Sequence, residues 1–222
     1  MTDIAEQVSE FNTGFNEQVG PRLAAVFAAE QDALRAGGVP EGAVAVGSTL
    51  PDAQLIATDG STVGLYDSLG DAPAVLVFYR GAWCPYCNIT LKHYQQALLP
   101  ELTARGVRLL AISPQTPDGS SATVRNGALE FTVLSDPANV LVRSLGILTE
   151  PSREARAAHT DLGFDVADSN ADGTGDIPFP TVLVIDENRV VTFADVHVDY
   201  TTRTEVPTIV AAVEAITASV AG

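Results

Sequence analysis

The sequence predicts an α/β fold in which helices flank a mixed central sheet, and three observations predict it. Residues 75–79 form an apolar run without alternation, the pattern of a strand buried on both faces. A helical stretch follows it, Gly106 closes that stretch, and a second apolar run spans 107–113, which makes a parallel β-α-β unit. Hairpin signals stand on either side of this unit. Asp59-Gly60 joins 54–57 to 61–65, and Asp186-Glu187-Asn188-Arg189 joins 181–185 to 190–193.

The elements follow in order. Ile4, Val8, Phe11, Phe15 and Val19 recur at helical spacing, Gly20-Pro21 breaks the pattern, and Leu23, Val26, Phe27 and Leu34 open a second stripe ending at Gly37-Gly38. We expect residues 1–38 to be a helical arm laid over the body of the molecule, and residues 39–46 to be a linker. The main domain then runs over 47–222. The helix after Cys87 continues to Arg105, with Pro100 expected to kink it by removing one backbone donor. Residues 114–119 read as a loop, 120–126 as a short helix and 131–134 as a strand. Asp136-Pro137 reads as an N-cap with proline at the first helical position, opening a helix to about Leu145 that Gly146 closes. Residues 150–178 look like an insertion, with periodicity only in a short charged helix at 152–159. Asn188 is expected in the left-handed conformation, which asparagine tolerates better than most residues. Pro207 starts a last helix with Ile209, Val210, Val213 and Ile216 on one side.

Composition narrows the function. The 222 residues are 46% hydrophobic, enough for a full core. Twenty-eight acidic against twelve basic residues give a net charge of -16, and Lys92 is the only lysine. Such a surface repels nucleic acid phosphates and anionic lipid, so neither nucleic acid nor membrane is an expected partner. The first residues are acidic and lack a continuous apolar segment, and no run approaches membrane-spanning length; the expected location is cytoplasmic.

The chemistry concentrates in Tyr79-Arg80-Gly81-Ala82-Trp83-Cys84-Pro85-Tyr86-Cys87, which holds both cysteines of the chain. A strand delivers the Cys-x-x-Cys pair to the first turn of a helix. Backbone N–H groups and the helix dipole there stabilise a thiolate, so sulfur redox chemistry is expected. Zinc would need about four ligands and the chain has no second cysteine pair. His93, His159 and His197 are scattered without ligand spacing and are expected at the surface or in loops. Asp168-Ser169-Asn170-Ala171-Asp172-Gly173-Thr174-Gly175-Asp176 matches the start of a calcium loop, but Phe179 stands where a bidentate glutamate is needed. No cofactor or resident metal is expected.

Three stretches carry a family resemblance: Gly47-Ser48-Thr49-Leu50-Pro51-Asp52, the loop from Phe78 to Cys87, and Phe179-Pro180-Thr181-Val182-Leu183-Val184-Ile185-Asp186. Together they resemble the thioredoxin superfold, and more closely its peroxiredoxin-like AhpC/TSA branch. The resemblance, which covers roughly Gly47 to the C-terminus, implies a thioredoxin-like α/β/α sandwich, to which the N-terminal helical arm is an extension. It also places Cys87 at the peroxidatic position. Cys84 then replaces that family's threonine, Arg80 its proline, and Pro180 the arginine before the penultimate strand. Trp83-Cys84-Pro85-Tyr86-Cys87 is at the same time similar to a thioredoxin or glutaredoxin site. That likeness implies a cis-proline at Pro180, followed by Thr181, facing the pair, although Phe78 stands where many thioredoxins keep a buried acid. Arg80, Trp83, Pro180 and Thr181 are thus the expected site-shaping residues.

Two routes follow. In one, the Cys87 thiolate attacks a hydroperoxide and Cys84 condenses with the resulting sulfenic acid. In the other, Cys84 leads disulfide exchange and Cys87 resolves the mixed disulfide. Peroxide attack needs a donor for developing charge, for which Arg80 is the first candidate and Arg125 and Arg143 the others. The partners would be a hydroperoxide or disulfide substrate, an external thiol reductant of thioredoxin or glutathione type, and a second copy of the chain in a homodimer. A non-enzymatic protein binding a soft metal at the dithiol, or calcium at the acidic loop, is the alternative class.

Overall fold

The computed structural model describes residues 2–220, with side chains to Ile216. Its centre is a seven-stranded mixed sheet. The strands are β1 (Gln54–Ala57), β2 (Thr62–Gly64), β3 (Ala74–Phe78), β4 (Arg108–Ser113), β5 (Thr132–Ser135), β8 (Thr181–Ile185) and β9 (Val191–Val196), in the order β2-β1-β5-β4-β3-β8-β9. β3, β4 and β5 run parallel, while β1 pairs with β5, and β8 with β3 and β9, in antiparallel fashion. Every residue of β3 is buried, as its unbroken apolar run requires.

Strand alternation splits the core into two layers. Val75, Val77, Leu109, Ala111, Val182 and Val184 face one layer, with Leu91, Tyr94, Leu98, Leu102, Ile209 and Val213 from the helices. Leu76, Phe78, Leu110, Ile112, Leu183 and Ile185 face the other, against Leu65, Leu69, Leu141 and Val142. The first layer holds both cysteines.

The arm is α1 (Ile4–Gly37), bent at Gly20, whose φ of 77° interrupts the helix as Gly20-Pro21 foretold. Its start is fixed by Glu205, whose carboxylate accepts from Ile4 N at 3.1 Å and Ala5 N at 2.9 Å. Its second half packs Leu23 and Phe27 on Ala158 of α7 (Arg153–Asp161). The arm therefore covers the body.

Several elements differ from expectation for physical reasons. Residue 65 belongs to no strand: α2 (Leu65–Leu69) starts there and buries Leu65 and Leu69, one turn apart. The helix after the cysteines is α3 (Pro85–His93), continued by α4 (Leu99–Ala104). Pro100 disturbs it through a π turn over Tyr94–Leu98, where Leu99 N reaches Tyr94 O. α5 (Pro117–Gly127) begins earlier than its periodicity, because Thr116 caps it by accepting from Gly119 N and Pro117 fills its first turn. Asp136 is no ordinary N-cap. Ala138 and Asn139 turn left-handed after it, and α6 (Val140–Ser144) is capped from a distance by the Asp136 carboxylate, at 3.2 Å from Leu141 N and 3.0 Å from Val142 N. At the last hairpin Asp186 Oδ1 holds Asn188 N, so Arg189 takes the positive φ of 66°.

A two-stranded ribbon, β6 (Leu148–Thr149) with β7 (Ile177–Pro178), closes the base of the 150–178 segment. Between them lie α7, capped by Ser152, and α8 (Val166–Ser169). The chain closes with α9 (Val206–Val220), one residue before Pro207. Among the described residues no helix is long and apolar enough to cross a membrane.

Gly146 is a point where the backbone leaves no room. Its φ is +65°, and a Cβ there would lie 2.1 Å from Gly42 O. We expect Gly146→Ala to cost about 2 kcal/mol or more in chemical denaturation. Gly163→Ala, at a φ of +89° with nothing within 4 Å, costs only about 1 kcal/mol.

Candidate active site

β3 ends at Phe78, and Tyr79 starts the loop that carries the cysteines. Gly81 adopts a φ of +152°, and a Cβ there would strike Trp83 Nε1 at 2.5 Å, so the loop can close only over glycine. Gln115 fastens it: its side-chain oxygen accepts from Ala82 N at 2.7 Å, and its amide donates to Tyr79 Oη at 3.2 Å and Ser113 Oγ at 3.1 Å. Asn88 Nδ2 donates to Ala82 O at 2.8 Å. Cys84 becomes the N-cap of α3, and Cys87 lies one turn inside.

Both cysteines are free thiols, exposed by only 0% and 1%. Their environments differ sharply. The Cys87 sulfur accepts from Arg203 Nη2 at 3.3 Å and from the Arg80 backbone N–H at 3.4 Å, and it also takes a hydrogen bond from the Cys84 thiol. Burial pushes the Cys87 pKa up, but these donors and the two guanidinium charges outweigh it and hold the thiol well below its ordinary range. Burial pushes Cys84 well above that range, and its bond to an anionic neighbour adds to the effect. The two sulfurs are thus driven in opposite directions, Cys87 toward the thiolate and Cys84 toward the thiol.

Arg203 comes from the loop between β9 and α9, which His197 clamps shut. The ring bonds Thr202 Oγ1 through Nδ1 at 2.7 Å, and Asp195 Oδ2 and Thr204 Oγ1 through Nε2 at 3.1 Å each. Tyr94 Oη donates to Thr204 O at 2.6 Å, and Arg203 Nη1 donates to Tyr200 O and Thr202 O at 2.6 Å. The guanidinium is thus aimed before any ligand arrives.

Cys84 borders a cavity of about 290 Å³. Its walls come from the arm (Phe11, Phe15 and Phe27), from Trp83 beside the dithiol, and from His159 and Phe164 of the 150–178 segment. Ring contacts run through it, with Phe11–Phe15 at 5.3 Å, Phe27–His159 at 5.4 Å and Trp83–Phe164 at 5.6 Å between centroids. Tyr86 Oη donates to Asn12 Oδ1 at 2.7 Å, tying the arm to the active-site helix. Cys87 faces the other way, onto a gap of about 10 Å³ shared with Pro180, Thr181, His197 and Arg203.

Of the expected site residues, Arg80 is buried at 4% exposure and held between Trp83 (4.7 Å) and Tyr200 (4.1 Å) by cation–π contact. Trp83 forms one wall of the cavity. Pro180 and Thr181 lie on the Cys87 side as the resemblance implies, but the Phe179–Pro180 bond is trans: no described peptide bond is cis. Pro180 O instead accepts from His197 N at 2.8 Å, and Thr181 Oγ1 donates to Phe179 O at 2.9 Å. Arg125 and Arg143 are exposed and away from the sulfurs, with Arg143 paired to Asp176.

The histidines are not the surface groups expected. His93 and His159 are both buried, and His93 bonds Gln7 at 3.0 Å. Burial and the neighbouring Arg80 hold His159 neutral, its pKa down to about 4. The calcium-loop oxygens serve local bonds, with Asp172 Oδ1 accepting from Thr174 N and Oγ1 and Asp176 facing Arg143. Among the described residues no three His, Cys, Asp or Glu gather as metal ligands. The residues that sequence reasoning missed are Arg203, Tyr200 and Gln115. For Arg203 the one available signal was a scarce cation in an acidic chain, inside the polar Asp199-Tyr200-Thr201-Thr202-Arg203-Thr204 loop.

The sequence matches the AhpC/TSA family over residues 46–194. No curated protein sequence is a significant match. Among solved structures, reduced Prx3 from Vibrio vulnificus is similar at 24% identity and a TM-score of 0.62, covering 77% of this chain and 99% of its own. Peroxidoxin BcpB from Mycobacterium tuberculosis is similar at 21% identity and a TM-score of 0.59, covering 78% and 98%. A putative protein disulfide isomerase from Bacteroides thetaiotaomicron shares the fold at 15% identity and a TM-score of 0.53, covering 78% and 90%.

The Arg203 contact can be measured through thiolate absorbance near 240 nm as a function of pH. Arg203→Ala should raise the apparent pKa of Cys87 by about one unit or more, and His197→Ala should move it the same way by less. The folded pKa of Cys87 is depressed, so its ionisation stabilises the fold above the unfolded pKa. That contribution fades as pH falls through the folded value. Arg203→Ala should therefore flatten this part of the stability–pH curve.

Proposed function

The chain belongs to the AhpC/TSA family, and from that premise we propose that it reduces hydroperoxides through a Cys87/Cys84 dithiol–disulfide cycle. Family membership supports a thiol-dependent peroxidase or oxidoreductase in general. The observation that carries the finer reading is the Cys87 sulfur, bonded by Arg203 Nη2, Arg80 N and the Cys84 thiol. A sulfur whose surroundings favour the thiolate is what attack on an O–O bond requires.

The Cys87 thiolate attacks one peroxide oxygen, the O–O bond breaks, and Cys87 becomes a sulfenic acid. The departing oxygen takes a proton, for which the Cys84 thiol is the adjacent donor, and leaves as an alcohol or water. Arg203 and Arg80 offset the negative charge that builds on the oxygens. The Cys84 thiolate then attacks the Cys87 sulfur, hydroxide departs and takes a proton from solvent to become water, and the Cys84–Cys87 disulfide forms. An external thiol returns the pair to its reduced state.

A second reading has its own observation: Cys84, and not Cys87, borders the large cavity. Cys84 would then lead exchange with a disulfide substrate, and Cys87 would leave or resolve.

Single-turnover kinetics with Cys84→Ser and Cys87→Ser decide between them. On the peroxidatic reading Cys84→Ser still consumes one equivalent of peroxide and accumulates a sulfenic acid. Cys87→Ser should lose about a hundredfold or more in rate. Rapid peroxide reaction of Cys87→Ser, or disulfide reduction by wild type without peroxide turnover, would sink the peroxidatic assignment.

A further inference from the structure

We propose that the cavity bounded by the arm, the cysteine loop and the 150–178 segment binds a small aromatic carboxylate, with its ring among the phenylalanines and its carboxylate on Arg80. The site is distinct from the dithiol chemistry. Cys84 belongs to the wall but is 0% exposed, so its sulfur takes no part in holding the ligand.

Charge selects the sign of the ligand. His159 is held neutral, which leaves Arg80 as the one cation on the lining, and among the described residues no Asp or Glu borders the cavity. In a chain with 28 acidic and 12 basic residues, an acid-free wall around one arginine sets this place apart from the rest of the surface. Glu30 also shares a wall with Arg80, but that wall encloses a separate gap of about 10 Å³, and the Glu30 carboxylate already accepts from Ser152 N at 2.8 Å.

Stacking and hydrogen bonding select the head group. The guanidinium carbon of Arg80 lies 4.7 Å from the Trp83 ring and 4.1 Å from the Tyr200 ring. A guanidinium stacked on rings bonds through its N–H edge, and two N–H groups of that edge match the two oxygens of a carboxylate. The polar atoms of the wall are short of acceptors. Trp83 Nε1 and His159 Nδ1 are buried without a hydrogen-bond partner, whereas buried polar atoms are ordinarily paired. The indole N–H can only donate, and the neutral imidazole carries one N–H of its own. The Tyr200 hydroxyl accepts from Gln31 Nε2 at 3.4 Å, which leaves its proton to give, while Tyr86 Oη is already spent on Asn12. A carboxylate brings acceptors and an ammonium brings none.

The remaining wall selects the body. Phe11, Phe15, Phe27 and Phe164 present rings, and rings pack on one another here already, with Phe11–Phe15 stacked and Trp83–Phe164 tilted. A volume of about 290 Å³ sits at the lower end of small-ligand pockets and holds one ring with a short chain. Leu162, 37% exposed, belongs to the lining, so the cavity meets solvent there. Arg80 also gives its backbone N–H to Cys87 at 3.4 Å. A ligand on its side chain therefore bears on the residue that steadies the reactive sulfur.

The test titrates the full reduced chain with three matched probes: 3-phenylpropionate, 3-phenylpropan-1-ol and 3-phenylpropylamine. Binding is read by calorimetry and by the fluorescence of the single tryptophan, Trp83. The acid should bind about tenfold or more tighter than the alcohol, and the amine should bind weakest. Simple attraction to a surface of net charge -16 would give the opposite order. Arg80→Gln should erase the lead of the acid over the alcohol, whereas Phe164→Ala should weaken both and leave their ratio unchanged. The order of the three probes on the unmodified protein decides the matter even where Arg80→Gln does not fold. Equal binding of acid and alcohol, an amine that binds tightest, or an acid preference that survives Arg80→Gln would overturn the proposal. So would an acid that fails to bind at about 10 mM.

Discussion

Everything near the site depends on letting a buried sulfur carry negative charge. Cys87 is 1% exposed, in a chain whose net charge is -16. An unpaired buried anion would cost several kcal/mol and would simply take up a proton. The fold answers with two cations from distant parts of the chain: Arg80, whose backbone N–H also bonds the sulfur, and Arg203, across the end of β8. Neither is left to find its own position. Trp83 and Tyr200 sandwich Arg80, and the His197–Asp195–Thr204 cluster fixes the loop of Arg203. The sheet makes this possible because β3 and β8 are neighbours. The loop after β3 and the loop after β9 thus meet at one end of it.

The arm converts that chemistry from a surface feature into an enclosed one. Its start is held by Glu205, its middle by the Tyr86–Asn12 bond, and its end by Glu30, whose carboxylate accepts from Ser152 N at 2.8 Å. Each tie leads to an element that touches the site: the loop before α9, helix α3, and the 150–178 segment. The aromatic stripe that gives α1 its helical periodicity is therefore used twice. Ile4 and Val8 join the main core, whereas Phe11, Phe15 and Phe27 line the cavity before Cys84.

How much of this the sequence disclosed depended on the range of the interaction. Local signals worked well: the unbroken apolar run of β3, Gly20-Pro21 in the arm, the Asp59-Gly60 hairpin, and the strand-loop-helix around Cys84 and Cys87. Where a side chain reached a few residues beyond its turn, local rules misplaced details. Asp136 capped a helix that starts four residues later, and Asp186 sent the left-handed conformation to Arg189 instead of Asn188. Long-range placement was out of reach. Arg203 meets a cysteine 116 positions earlier, and no spacing rule connects them. His159 was read as a loop residue because its aromatic neighbours come from three separate segments.

The hybrid loop acquires a physical logic once these contacts are known. A residue beside a reactive thiolate has to donate a hydrogen bond to it, and the Cys84 thiol does so. Unlike a hydroxyl, it can also form a covalent bond to the same sulfur after oxidation. On the proposed cycle, one residue would therefore act as donor in the reduced protein and as resolving partner in the oxidised one. This double role has a cost, since Cys84 must keep its proton until oxidation has occurred. Its complete burial, beside the anion it bonds, enforces that by raising its pKa. In the disulfide of that cycle, the sulfur ringed by Arg203 and the Arg80 N–H would be the better leaving group. On that cycle one arrangement of charge would favour ionisation of Cys87 before oxidation and its departure as thiolate after it.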